Sequence, residues 1–187
     1  KALEYGNRSL KIRLEIGDKD GIGAALGNIG NVYGDKVDYD KALEYYNKSL
    51  RIKEEIGDKA GIGTTLGSIG IGHGDKGDYD KALEYYNRSL KIRLEIGDKA
   101  GVGTALGQIG IFHHHKGDYD KALEYYNRSL RIKEEIGDKP GIGRVLSNIG
   151  RFYYIKCKYQ KAKEFLKKSL ANQTEIGLKK LELETTT

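Results

Sequence analysis

The chain has 187 residues, of which 38% are hydrophobic and 32% charged, with a formal net charge of +6. It is too apolar for a disordered chain, no run approaches the roughly 18 apolar residues of a membrane helix, and no signal-peptide pattern opens it. The lone Cys157 excludes an internal disulfide framework and fits a reducing, cytoplasmic setting.

The string Asp-Tyr-Asp-Lys-Ala-Leu-Glu-Tyr-Tyr-Asn occupies residues 38–47, 78–87 and 118–127, so the chain repeats every 40 residues. A period of that size signals stacked supersecondary units that share one core and offer an extended surface to a partner. Residues 1–17 are a partial repeat holding the second helix only, because Lys1 to Tyr5 match Lys41 to Tyr45. Full repeats follow at 18–57, 58–97, 98–137 and 138–177, and residues 178–187 stand where a further first helix begins. The chain reads as a segment of a longer array, one elongated domain. Charge is balanced through residue 150, and the basic excess falls in residues 151–187.

Each repeat divides into two helices. In the second helix of repeat 2, Ala82, Tyr85/Tyr86, Leu90 and Ile92 recur at three- and four-residue spacing, with Ile96 closing the series. Such spacing marks one buried face. Asp78 is its N-cap, Asp80 puts negative charge in the first turn, and Gly97 stops it. The next helix runs from about Lys99 to His115 behind Asp98, and Pro140 occupies the tolerated first turn in the last repeat.

First helices are glycine-rich: Gly61, Gly63, Gly67, Gly70, Gly72 and Gly74 lie within one of them. At about 1 kcal/mol each relative to alanine, they leave a helix that only close packing can hold.

Leu66, Gly70, Gly77, Tyr79, Ala82, Tyr86 and Ser89 resemble the core positions of the tetratricopeptide repeat family. The frame returns at Leu26, Gly30, Tyr39, Ala42, Tyr46 and Ser49, and at Leu106, Gly110, Gly117, Tyr119, Ala122, Tyr126 and Ser129. The last repeat keeps Leu146, Gly150, Tyr159, Ala162, Phe165 and Ser169. That family's unit is usually about 34 residues. The longer period resembles the subtype of Pins/LGN scaffolds, kinesin light chains and many prokaryotic regulatory arrays. The resemblance implies an all-α, right-handed superhelical solenoid of antiparallel helix pairs that binds proteins. Departures are Gly6 at the core tyrosine, Val37 and Cys157 at the turn glycine, and His73 and His113 at the aromatic of Tyr33 and Tyr153.

Second helices are nearly identical between repeats, whereas first helices differ far more, and the differences gather at four positions. These are Ala24/Thr64/Thr104/Arg144, Asn28/Ser68/Gln108/Asn148, Asn31/Ile71/Ile111/Arg151 and Asp35/Asp75/His115/Ile155. Spaced by three or four, they share one helix face. By resemblance they line the concave groove, the partner-binding site. Asn28, Asn31, Gln108 and Asn148 suit the backbone of an extended peptide. Ile71 and Ile111 supply apolar surface. Asp35 and Asp75 make the early end acidic, and Arg144 and Arg151 make the late end basic. Arg144, Asn148 and Arg151 are also placed to hold a carboxylate. Drift at tolerant exposed positions is the plainer explanation of the same pattern.

Other motifs carry less. Gly21-Ile22-Gly23 lacks the strand and the Gly-Lys-Ser/Thr of a phosphate loop. His113-His114-His115 point about 100° apart on a helix and so do not share one ion. The lysines from Lys156 to Lys168 attract polyanions in principle, but lysines usually solvate a terminal face. No catalytic set converges. The expectation is an interaction scaffold for a peptide or protein segment, with no enzyme activity, metal or cofactor. Self-association through the terminal helices and polyanion binding by the basic last repeat are the alternatives.

Overall fold

The computed structural model describes residues 1–185, with side chains through residue 175. Among the described residues the chain forms nine α-helices and no strand. In chain order they are α1 (Ala2–Glu15), α2 (Lys19–Asp35), α3 (Tyr39–Glu55), α4 (Lys59–Asp75), α5 (Tyr79–Glu95), α6 (Lys99–His115), α7 (Tyr119–Glu135), α8 (Lys139–Ile155) and α9 (Tyr159–Thr185). They fall into two compact units, Lys1–Asp98 with α1–α5 and Lys99–Thr187 with α6–α9.

Helix ends follow directly from local chemistry. Asp18, Asp58 and Asp138 each accept a bond from the backbone N–H three residues on, at 2.9 Å, which satisfies one of the free donors of the first turn. Asp38 and Asp78 do the same for the second helices, at 3.3 Å. Gly17, Gly57, Gly97 and Gly137 end helices in the left-handed conformation, φ +70 or +71. Val37 and Cys157 take that conformation without being glycine, φ 63 and 56.

Pairs are antiparallel. Lys19, at the start of α2, bonds Glu55 at the end of α3, while Tyr33 near the end of α2 stacks on Tyr45 near the start of α3 at 5.4 Å. The stack recurs as His73–Tyr85, His113–Tyr125 and Tyr153–Phe165, each at 5.4 Å, so the histidines replace tyrosine as flat rings.

The glycines make this packing possible. A Cβ on Gly30 would lie 2.6 Å from the Tyr46 ring, one on Gly70 2.5 Å from Tyr86, and one on Gly110 2.6 Å from Tyr126. Beside them a buried hydroxyl crosses each pair. Ser49 donates to the Gly23 carbonyl at 2.8 Å, Ser89 to Gly63 and Ser129 to Gly103 at 2.6 Å, and Ser169 to Gly143 at 2.7 Å. In the first unit Ala42, Leu43, Tyr46, Leu50, Leu66 and Ile69 form a core, and in the second Ala122, Tyr126, Val145 and Ile149 do.

Three local expectations change. Ile96 stays exposed, and Ser89 is buried on that face instead, because the serine has a backbone partner across the pair. In the last repeat Leu166, not Phe165, opposes Gly150 (2.8 Å from its Cβ position), while Phe165 pairs with Tyr153. The expected break at Gly177 is absent, since α9 runs on to Thr185. Leu178 stands where Asp18, Asp58, Asp98 and Asp138 follow the turn glycine, so a new helix has no N-cap there. The side chains of residues 178–187 lie outside the described ones. Gly6 removes the ring that Tyr46 supplies, and α1 buries none of its residues.

Candidate binding clefts

All sixteen groove residues expected on the first helices reach solvent, fully or in part. Many of them line clefts, each within one unit. In the first unit Ala24, Asn28 and Asn31 of α2 face Thr64 and Ser68 of α4 across a cleft of about 250 Å³ floored by Tyr46, Ser49 and Lys53. Alongside it, Asn31, Asp35, Ile71 and Asp75 line a second cleft of about 230 Å³. The Tyr46 hydroxyl donates to Asn31 Oδ1 at 2.9 Å. Burial raises the Tyr46 pKa, and the Asp35 and Asp75 carboxylates add to the shift, so the phenol stays protonated as a donor.

In the second unit Thr104, Gln108 and Ile111 of α6 and Arg144 and Asn148 of α8 surround a cleft of about 410 Å³, with Lys133 and Gln173 in its wall. His115, Arg151 and Ile155 are exposed but do not line it. Arg151 acts instead on its neighbours. Burial lowers the His114 pKa and the Arg151 charge lowers it further, and that charge also opposes the burial that lifts Tyr126 to about 12.

Sequence reading missed the lysines beneath the clefts. The Lys53 ammonium lies 2.7 Å from Asp20 and 2.8 Å from Asp58. Burial opposes its charge, but the bonds to both carboxylates outweigh burial and raise its pKa. The bond from Lys53 in turn holds the Asp58 carboxyl below the usual carboxylate range. Arg13–Asp18, Arg93–Asp98 and Lys133–Asp138 repeat the contact at 2.6, 2.6 and 2.7 Å. The signal was present: a basic residue stands five positions before Asp18, Asp58, Asp98 and Asp138, at the starts of the first helices.

The histidine run is dispersed. His113 stacks on Tyr125, and His114 meets His115 and Tyr119 edge-on. Among the described residues no group of three or more His, Cys, Asp or Glu is arranged to hold a metal ion. None of the described helices is long and apolar enough to cross a membrane. In the basic last repeat, Lys156, Lys161 and Lys168 lie over the rings of Tyr119, Tyr153 and Phe165 at 5.3, 5.4 and 5.4 Å.

Antiparallel helix pairs on a 40-residue period, with clefts between successive first helices, define the helix-pair class of repeat protein. A family model described as tetratricopeptide repeat matches residues 1–55, 22–95 and 101–175. The chain belongs to the tetratricopeptide repeat family.

Among solved structures, BtubC (BKLC) from P. vanneervenii is similar at 20% identity and TM-score 0.82, over 93% of this chain and 73% of that one. A Rap protein complexed with Competence and Sporulation Factor is 16% identical at TM-score 0.73, over 94% of this chain and 59% of that one. Putative kinesin light chain repeats from Podosopora anserina are 13% identical at TM-score 0.71, over 93% and 86%. At these identities the likeness is one of fold. No curated protein matches the chain.

Proposed function

We propose that the chain is a protein-interaction module that binds an extended or helical protein segment against its first helices. One observation carries this reading: the sixteen groove positions all reach solvent and most of them line the clefts, while the buried serine that crosses each pair recurs. Exposed positions on a rigid scaffold are where specificity is built without loss of stability. The Rap protein complexed with Competence and Sporulation Factor supports the reading as a protein of this fold holding a partner. Asp35 and Asp75 suit basic residues of the ligand in the first unit, and Arg144 and Arg151 suit acidic ones in the second. Selection of displayed peptides on the immobilised chain tests this. Charge reversal of Arg144 and Arg151 to Glu should weaken acidic ligands at least tenfold, and unchanged affinity overturns the assignment.

A second reading rests on the uncovered apolar faces of α1 and α9. Tyr5 and Ile12 are exposed on α1 and Ile16 at its C-cap, and Tyr159, Leu166 and Leu170 are exposed on α9. Self-association through these faces predicts a mass that rises with concentration in light scattering. A constant monomer mass rules it out.

A further inference from the structure

Residues 156–168 hold six lysines and one acid, Glu164, whereas their counterparts 36–48, 76–88 and 116–128 each hold three basic and three acidic residues. Lys158 stands at the position of Asp38, Asp78 and Asp118, and Gln160 at that of Asp40, Asp80 and Asp120. Lys158, Lys163 and Lys167 are exposed and make no ion pair among the described residues, while Glu164 is already bonded to Lys168.

The same stretch carries an uncovered apolar row. Leu166 and Leu170 are exposed on α9, and Tyr159 meets Tyr154 of α8 edge-on at 5.6 Å. With Lys163 and Lys167 these four line a cleft of about 410 Å³. Elsewhere this face of a second helix seats the next first helix. Leu43 lies 2.9 Å from a Cβ placed on Gly72, and Leu123 and Leu130 pack on the core that α7 shares with α8. Lys163 takes the place of Leu43 and Leu123, so a helix of the α4 kind seated here would bury an ammonium.

Charge decides what fits the face instead. Residues 1–15 carry four basic and two acidic residues, so neither α1 of a second copy nor a second α9 face supplies the anions. A nucleic acid supplies them but leaves Leu166 and Leu170 in water. An anionic lipid surface meets both demands. Leucines and tyrosine rings enter the boundary between headgroups and acyl chains, and lysines reach up to the headgroup anions.

We propose that the face formed by α9 and the end of α8 docks on a membrane surface rich in anionic lipid, lying on it without crossing it. This is a second function, separate from the clefts along the first helices.

The test is co-sedimentation of the full chain with vesicles of phosphatidylcholine alone and of equal parts phosphatidylcholine and phosphatidylserine. Binding to the mixed vesicles, weakened by salt, and none to phosphatidylcholine alone are expected. Lys163→Glu with Lys167→Glu should lower the mixed-vesicle partition at least tenfold. Arg51→Glu with Lys91→Glu makes the same change in net charge at exposed positions of α3 and α5 and should lower it far less. Leu170→Ser alters no charge and should still lower it several-fold. Every variant should keep the wild-type helical signal.

Equal binding to both kinds of vesicle, binding to neither, or equal losses in the two double variants overturns the proposal. Binding of duplex DNA that survives Leu170→Ser, without vesicle binding, assigns the lysines to nucleic acid and overturns it. A concentration-dependent dimer that Leu170→Ser abolishes, without vesicle binding, assigns the face to a second copy and overturns it likewise.

Discussion

A Cβ placed on Gly70 would stand 2.5 Å from Cδ2 of Tyr86, well inside any real carbon–carbon contact. The ring belongs to the second helix of the same pair and is almost wholly buried, so neither partner has room to retreat. The glycine is therefore the condition for that pair to close.

From this, Gly70→Ala should lose about 1–3 kcal/mol through overpacking. Gly67→Ala on the same helix should gain up to about 1 kcal/mol from helix propensity, because its nearest new contact is Ser89 Oγ at an ordinary 3.9 Å. Urea denaturation of both variants checks the opposite signs. Equal effects would mean the helix as a whole, not the ring, sets the glycine requirement.

Val37 adopts φ 63 where repeats 2 and 3 use Gly77 and Gly117, and it is 67% exposed. The left-handed conformation costs a residue with a Cβ about 1–2 kcal/mol, and little packing offsets it at that exposure. Val37→Gly should raise the melting temperature, the unfolded-state entropy of glycine reducing the gain. Cys157→Gly should act in the same direction from φ 56.

Ser129 donates a buried hydrogen bond of 2.6 Å to the Gly103 carbonyl. Ser129→Ala removes that bond without creating a large cavity, so a loss of about 1 kcal/mol is expected. Ser129→Val should cost more, since it removes the bond and also forces a bulkier branched side chain into a fully buried site. Chemical denaturation distinguishes the two.

His73 stacks on Tyr85, and burial lowers its pKa, the Asp78 carboxylate opposing that shift. Below about pH 6.5 the unfolded imidazole takes up a proton more readily than the folded one. Stability then falls as pH drops from about 6.5 through the lower folded pKa, and burial of His114 works in the same sense. Thermal melts at pH 7.5 and 5.5 should show the drop. His73→Tyr, the residue found at Tyr33, should make it smaller.

The sequence by itself determined the helix pairs, because a 40-residue echo, capping aspartates and turn glycines are local signals repeated often enough to read. It also picked out a varying first-helix face, since the repeats can be compared with one another. Only the tertiary structure decided which of those residues meet. Thr104, Gln108, Arg144 and Asn148 share one cleft with Lys133, while Arg151 lies outside it and its charge lowers the His114 pKa instead. Likewise Leu166 rather than Phe165 faces Gly150, because that choice depends on which ring finds a flat partner across the pair. Local propensity operates along the chain, whereas a buried ammonium and its carboxylates are set by three-dimensional packing between helices, where one lysine receives two acids and its counterpart one.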